Sequence, residues 1–213
     1  KPNFRKRHQG FIPLIGGIAL FLGTLTFYAF QANTLPLPGL YLLSMTILLI
    51  IGVLDDRFDI SPALRAGIQA ILAGAMIYSG LELESLGQII APFSIKLGFF
   101  SLIFTVFITI GVINAFNMVD GIDGLLAGLS SVSFAGIGAL MWINQEHAIA
   151  YWCLAIILTL IPYAMFNLSV FGAKWKVFMG DSGSTLIGFT IIWMLLLSTQ
   201  GQGHAISPIT GLW

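Results

Sequence analysis

The chain has 213 residues, of which 57% are hydrophobic and only 8% are charged. Soluble domains carry about 25% charged residues, so this composition excludes an ordinary soluble fold and indicates an integral membrane protein. Nine basic residues balance nine acidic ones, and this zero net charge gives no indication of nucleic-acid binding.

Seven apolar runs approach the length of about 17–25 residues that a transmembrane helix needs. In chain order they cover residues 11–30, 37–54, 62–80, 97–115, 123–143, 148–168 and 184–200. Between the third and fourth runs, residues 81–96 alternate apolar with polar side chains around Pro92, which predicts a small hairpin or interfacial element. The sequence therefore predicts an all-α polytopic membrane protein with about seven transmembrane helices. Because the chain starts at Lys1 and ends in the apolar stretch ISPITGLW, we expect residues 1–213 to be a single transmembrane domain and a fragment lacking both natural ends.

The charged residues predict how the chain crosses the membrane. Seven spans place the N-terminus and residues 55–62, 116–122 and 169–183 on one side, with the hairpin on the other. The first side carries eight of the nine Lys and Arg residues, and the positive-inside rule makes that side cytoplasmic and the hairpin periplasmic. All six aspartates also fall on the cytoplasmic side, whereas the three glutamates fall opposite. Six short carboxylates at one face predict a functional site there.

The motif LDDRFDIS places Asp55 and Asp56 at the end of the second run. Adjacent carboxylates repel each other and are costly near hydrocarbon, so a bound cation or a proton-transfer role would explain the pair. The alternative is a solvated loop in which Asp59 or Ser61 caps the next helix, with Pro62 at its first position.

The motif NAFNMVDGIDGL contains four polar residues spaced by three: Asn114, Asn117, Asp120 and Asp123. On a regular helix they would spread over half the circumference, and they converge better if the helix breaks near Gly121. Oxygen ligands of this kind suit a hard cation such as Mg²⁺. The alternative is ordinary capping of two helix ends by Asn and Asp.

The motif KWKVFMGDSGST joins Lys176 to Asp181 through an aromatic residue and glycine. A helix that starts near Ser184 would point its N-terminal amides at an anion, with Asp181 placed to hold a metal beside it. The alternative is a pair of positive-inside lysines followed by a helix cap. In the opening stretch FRKRHQGFIPLIGG, Lys6 or His8 is a candidate phosphate contact, and a basic juxtamembrane run is the alternative.

These motifs, in this order and with PLIGG before them, resemble the polyprenyl-phosphate N-acetylhexosamine-1-phosphate transferases over nearly the whole chain. LDDRFDIS and KPNFRKRHQG look closest to the bacterial branch that uses UDP-GlcNAc and undecaprenyl phosphate. The resemblance implies an enzyme of the bacterial inner membrane with its active site facing the cytoplasm. Such enzymes need Mg²⁺ or Mn²⁺, transfer a sugar-1-phosphate to the lipid phosphate, release UMP and start lipid-linked glycan synthesis.

The resemblance also implies roles for individual residues. The positions that match its metal and nucleotide site are Asp181 as metal ligand, Asn117 beside metal and diphosphate, Asp123 at the uracil, and Phe178 stacked on that ring. The positions that match its catalytic acids are Asp55, Asp56 and Asp120. The further substrate-binding candidates from the motifs above are Asn114, Lys176 and His8.

Two departures from the family pattern bear on the substrate. The phospho-MurNAc-pentapeptide transferases have a lysine three residues after the second aspartate, where this chain has Asp59. This difference favours the GlcNAc branch and leaves Arg57 or Arg65 for the lipid phosphate. The family's histidine-rich motif has no match here, which agrees with a fragment that lacks the sugar-recognition loop.

Several alternatives stay open at this point. Within the family, the alternative is a phospho-MurNAc-pentapeptide transferase, and outside it a cation-coupled transporter or a structural membrane protein. Transporters place acids near mid-membrane and usually show a repeat, neither of which is visible here. Two mechanisms also stay open. In one, the lipid phosphate attacks the β-phosphorus directly; in the other, an aspartate attacks first and forms a covalent intermediate. The sequence also leaves open whether the chain forms a homodimer.

Overall fold

The computed structural model describes residues 12–31, 35–90 and 93–200. Within these ranges the chain forms seven α-helices, one two-stranded hairpin and a short 3₁₀ turn at Ala173–Trp175. In chain order the elements are α1 Gly16–Phe30, α2 Pro38–Phe58, α3 Pro62–Tyr78, β1 Ser85–Ile90, β2 Phe93–Lys96, α4 Phe100–Val119, α5 Leu125–Ile143, α6 His147–Asn167 and α7 Gly180–Gln200.

Each of the seven predicted apolar runs coincides with one helix, so the prediction of an all-α polytopic membrane protein is confirmed. Five helices of the described residues are long and apolar enough to cross a membrane, namely α2, α4, α5, α6 and α7. Helix α1 is apolar but shorter, and α3 has 17 residues. The number of seven spans therefore stays a prediction.

Helix α7 lies at the centre of the bundle, where it packs against α1, α2, α4 and α5. Seventeen of its 21 residues are buried, and many of them are small. A Cβ atom on Gly52 would collide with the backbone of Ser182, and one on Gly188 would lie 2.7 Å from Cα of Ile113. Because lipid offers no hydrophobic advantage for helix contact, such close backbone approach is what holds membrane helices together.

An aromatic contact fixes the position of α2 along α7. The hydroxyl of Tyr41 lies 3.0 Å from Oγ1 of Thr190, and its ring packs against Phe189 and Trp193 at centroid distances of 6.2 and 5.4 Å. All three rings are buried. This anchor in the middle of the bundle sets the register at which the C-terminal end of α2 meets the beginning of α7.

The predicted hairpin is present and lies at the other end of α7. Strands β1 and β2 pair antiparallel, with Ser85 opposite Lys96. The side chain of Gln200, the last residue of α7, accepts hydrogen bonds from the amides of Glu84 and Ser85 at 3.1 and 3.2 Å. Because α7 has 21 residues and is about 30 Å long, the hairpin lies a membrane thickness away from Gly180. Its periplasmic location stays a prediction.

Candidate functional site

The end of the bundle opposite the hairpin contains a cavity of about 450 Å³ between α2, α4 and α7. Its lining brings together the three motifs that the sequence singles out. The lining residues are Leu14, Asp56, Asn117, Met118, Asp120, Gly121, Asp123, Phe178, Gly180 and Asp181. Six of the candidate residues thus meet in one place although up to 125 positions separate them in the chain.

The Asp56 carboxylate caps the beginning of α7. Its Oδ1 accepts from the amide of Asp181 at 2.9 Å, and its Oδ2 accepts from the amide of Ser182 at 3.3 Å. The first amides of a helix have no partner inside the helix, and the positive end of the helix dipole favours an anion. Gly180 is required beside it, because its φ is +76° and a Cβ atom there would lie 2.6 Å from Oδ2 of Asp56.

This capping corrects one expectation from the sequence. The helix does not begin near Ser184 but one turn earlier, at Gly180. The anion at its first amides is the Asp56 side chain rather than a substrate group. Asp181 consequently lies in the first turn of α7 and not in the preceding loop.

Asn117 orients Asp181 across the contact between α4 and α7. Its Nδ2 donates to Oδ1 of Asp181 at 2.8 Å and lies 3.3 Å from Oγ of Ser184. Both contacts use the amide nitrogen, so the amide oxygen of Asn117 remains free of them as a potential ligand atom. Asn117 and Asp181 are both half-buried in the cavity wall.

The predicted helix break near Gly121 is confirmed. Helix α4 ends at Val119, α5 begins at Leu125, and Gly124 in the intervening turn has a φ of +74°. The turn places Asp120 and Asp123 on the cavity, where Asp123 forms an ion pair with Lys176. Asp123 retains 45% side-chain exposure, so this carboxylate is accessible to a ligand.

Two residues that sequence reasoning missed hold this turn in place. The buried Asn167 accepts from the amide of Gly124 at 2.6 Å and donates to the carbonyl of Val177 at 3.1 Å. It therefore joins the turn to the segment that carries Phe178. The buried Tyr163 interacts with Asp120 and with the backbone of Met179. The available signal was a polar residue at the end of an apolar span, which is often functional in membranes.

Phe178 reaches the cavity from a short extended segment. Leu14 and Phe178 form a parallel bridge, in which the amide of Phe178 donates to the carbonyl of Pro13 at 3.1 Å. The amide of Gly16 donates to the carbonyl of Phe178 at 3.2 Å. The Lys176 ammonium lies 5.4 Å from the centre of the Phe178 ring. The motif PLIGG thus positions the aromatic ring.

Asp55 and Asn114 do not line the cavity. Asp55 is 3% exposed, forms an ion pair with Arg65 and accepts from the amide of Ile60 at 2.8 Å. Asn114 donates to Oε1 of Gln69 at 2.8 Å, towards α3. Consecutive residues on a helix point about 100° apart, and the rotation of α2 directs Asp56 to the cavity and Asp55 to Arg65.

The other candidate residues lie at the turn between α2 and α3 or in the opening stretch of the chain. Ser61 is the N-cap of α3, accepting from the amide of Leu64 at 3.4 Å, and Pro62 occupies the first helical position as predicted. Asp59 instead ends α2 with a φ of +57°. His8 and Lys6 lie outside the described residues.

The cavity is acidic, and its donor set fits a hard cation. Four carboxylates line it, and Lys176 is the cation paired with one of them. Across residues 12–31, 35–90 and 93–200, no three His, Cys, Asp or Glu side chains form a metal cage by themselves. Mg²⁺ commonly uses only one or two carboxylates and completes its shell with water and substrate phosphates. The oxygens of Asp181 and Asn117 suit that mode of binding.

Several known proteins are similar to this chain over its whole length. A protein of Haemophilus influenzae named undecaprenyl-phosphate alpha-N-acetylglucosaminyl 1-phosphate transferase is 63% identical over 215 residues, covering 100% of this chain and 61% of its own length. Relatives of the same name from Salmonella typhi and Escherichia coli (strain K12) are 52% and 53% identical, and each covers 100% of this chain and 58% of its own length.

The chain thus spans about three fifths of the length of these curated relatives. Residues 39–199 match the family described as glycosyl transferase family 4. This match covers α2 to α7 almost completely, including every helix that lines the cavity. The chain belongs to glycosyl transferase family 4.

Proposed function

We propose that this chain carries the nucleotide- and metal-binding part of an enzyme that transfers GlcNAc-1-phosphate from UDP-GlcNAc to undecaprenyl phosphate. The reaction releases UMP and starts the synthesis of a lipid-linked glycan. The observation that carries the proposal is the acidic cavity, in which three separate motifs supply carboxylates, an amide and one aromatic ring. The names of the relatives support the choice of sugar and lipid.

The nucleobase site is proposed at Phe178 and Asp123. A half-buried ring on the cavity wall offers a stacking surface for uracil, and a partly exposed carboxylate beside it can accept from the N3–H of uracil. Lys176 lies between the two, paired with Asp123 and close to the ring. Its ammonium neutralises Asp123 until a ligand enters.

The diphosphate site is proposed at Asn117 and Asp181. Four lining carboxylates would repel a diphosphate, so the substrate needs a cation to enter this cavity. Mg²⁺ or Mn²⁺, bound by Asp181 and Asn117 together with phosphate oxygens, would neutralise charge and align the displacement. Asn117 holds the Asp181 carboxylate, and Asp56 holds the helix start from which Asp181 projects.

We propose direct attack by the lipid phosphate. One of its oxygens bonds to the β-phosphorus, and the bond from that phosphorus to the bridging oxygen breaks, so that UMP leaves. Both oxygens of Asp56 already accept from α7 amides, which makes this carboxylate a poor nucleophile for a covalent intermediate. Asp120 is the remaining acid that can orient the acceptor. Asp55 acts indirectly, because its ion pair with Arg65 supports the turn after Asp56.

We propose that the cavity faces the cytoplasm at a bacterial inner membrane. The described basic residues near the cavity end of the bundle are Arg57, Arg65, Lys174 and Lys176, whereas Lys96 lies in the hairpin at the other end. This distribution follows the positive-inside rule.

The test is isotope exchange with a full-length protein. Labelled UMP is incubated with UDP-GlcNAc, Mg²⁺ and undecaprenyl phosphate, and label entering UDP-GlcNAc is measured. Exchange that requires the lipid supports direct attack, and exchange without it contradicts that mechanism in favour of a covalent intermediate. No exchange by folded protein contradicts the transferase. A parallel reaction with UDP-MurNAc-pentapeptide separates the two branches of the family.

A further inference from the structure

A second groove lies behind the wall of the cavity, between α1 and α6. Its volume of about 470 Å³ is within the range of ligand-binding pockets. Its apolar side includes Ile15, which precedes α1, Ala19 of α1 and Phe166 of α6. The segment before α7 supplies two lysines and an indole, Lys174, Trp175 and Lys176.

The groove and the cavity share one thin wall. Leu14 and Phe178, which form the parallel bridge, line the cavity. Their chain neighbours Pro13, Ile15 and Val177 line the groove. Side chains of extended segments alternate between two faces, so a single pair of segments separates the two spaces. Lys176 belongs to both sides, because it lines the groove and pairs with Asp123 of the cavity.

The chemistry of the groove matches an anionic lipid. From Phe166 to Thr159 it follows α6 for about 10 Å towards the middle of the membrane. Among the described residues, no carboxylate lies within 4 Å of the Lys174 ammonium, which lies 5.7 Å from the centre of the Trp175 ring. Trp175 is 59% exposed, as interfacial anchors are. Lysines at an apolar groove attract phosphate headgroups of anionic lipids.

We propose that this groove binds an anionic glycerophospholipid, with an acyl chain against α1 and α6 and its phosphate at Lys174 and Lys176. A lipid phosphate there competes with Asp123 for the Lys176 ammonium. Occupancy therefore frees Asp123 for the nucleobase and lowers KM for UDP-GlcNAc. This consequence rests on the proposed function, whereas the binding of lipid does not.

The test uses the full-length protein in phosphatidylcholine nanodiscs that contain a trace of phosphatidylglycerol with a photoactivatable acyl chain. We expect label on peptides of α1 and α6, reduced about five-fold by Lys174→Gln, which removes one surface lysine. Ala19→Phe fills the groove and removes the label. Ala135→Phe, at an exposed position of α5, is the matched control and keeps it.

Three results would overturn the proposal. Equal labelling by a phosphatidylcholine probe would show that the lysines recognise no charge. Label that survives Ala19→Phe would place the lipid elsewhere. Displacement of the probe by undecaprenyl phosphate, but not by unlabelled phosphatidylglycerol, would make the groove an acceptor site. If labelling persists but KM for UDP-GlcNAc does not change with the phosphatidylglycerol content, the coupling through Lys176 would be overturned.

Discussion

Two polar clusters lie side by side at the same end of the bundle and differ in how their charges are balanced. The cavity cluster consists of Asp56, Asn117, Asp120, Asp123 and Asp181, in which carboxylates outnumber cations and open onto a cavity. The interhelical cluster consists of Asp55, Arg65, Gln69 and Asn114, in which the carboxylate meets a guanidinium and the two amides meet each other.

Both clusters draw on the same two motifs. Asp55 and Asp56 are neighbours in LDDRFDIS, and Asn114 and Asn117 are three residues apart in NAFNMVDGIDGL. Helix geometry sends one member of each pair to each cluster. The balanced cluster suits a structural role, because buried charges need partners. The unbalanced cluster retains negative charge that a bound cation would neutralise. Membership of a motif therefore does not decide membership of the site.

The largest effect is expected on turnover, from a substitution in the cavity cluster. Asp181→Asn removes the charge that would hold the metal, and we expect turnover in the full-length protein to fall by roughly two to three orders of magnitude. Thermal unfolding should change little, because the amide still accepts from Asn117. The matched control is Asp59→Asn, outside the cavity, which should retain near-normal turnover. Near-normal turnover of Asp181→Asn would remove this residue from the metal site.

The second largest effect is expected in the interhelical cluster, where a substitution should lower the unfolding free energy rather than change nucleotide binding. Arg65→Met leaves the nearly buried Asp55 carboxylate without its ion-pair partner, and we expect unfolding free energy to fall by about 3 kcal/mol. Reversible unfolding in detergent measures this loss. Adding Asp55→Asn to Arg65→Met removes the unpaired charge and should restore part of the stability. A double variant less stable than Arg65→Met would contradict a balanced structural cluster.

A smaller effect is expected for the residue that links the cavity cluster to Phe178. Asn167→Ala releases both Gly124 and Val177, and we expect KM for UDP-GlcNAc to rise by about ten-fold with a smaller change in kcat. Asn167→Asp keeps the acceptor for Gly124 but loses the donor to Val177, so its effect should be intermediate. Asn144→Ala, at the other end of α5, is the control. A fall in kcat with unchanged KM would contradict a role in positioning the nucleobase site.

The fold was largely predictable because hydrophobic length is the main signal in a membrane chain. Each apolar run became a helix, and the alternating segment before Lys96 became the hairpin. The central position of α7 was not predictable from hydropathy, since α7 and the more exposed α4 are both apolar. It follows from small residues such as Gly188, whose importance depends on which helix they meet.

The candidate site was predictable where residues lie at helix ends. Asp120, Asp123 and Asp181 reach the cavity because the helices that carry them end or begin there. That Asp56 reaches the cavity and Asp55 does not was not predictable, because it depends on how α2 is rotated. Asn167 gave too little signal, since its two partners lie on segments that only tertiary packing brings to it.

The smallest effect tests which residue holds the turn between the two clusters. Ser61 caps α3 through a long contact of 3.4 Å, whereas Asp55 accepts from Ile60 at 2.8 Å and also pairs with Arg65. If the interhelical cluster holds the turn, Ser61→Ala should lower the unfolding free energy by only about 0.5 kcal/mol, the low end for an N-cap. Asp55→Ala should cost several times more in the same detergent titration, because it leaves Arg65 without its partner. Equal losses would mean that the cap, and not the ion pair, positions the end of α2 from which Asp56 reaches α7.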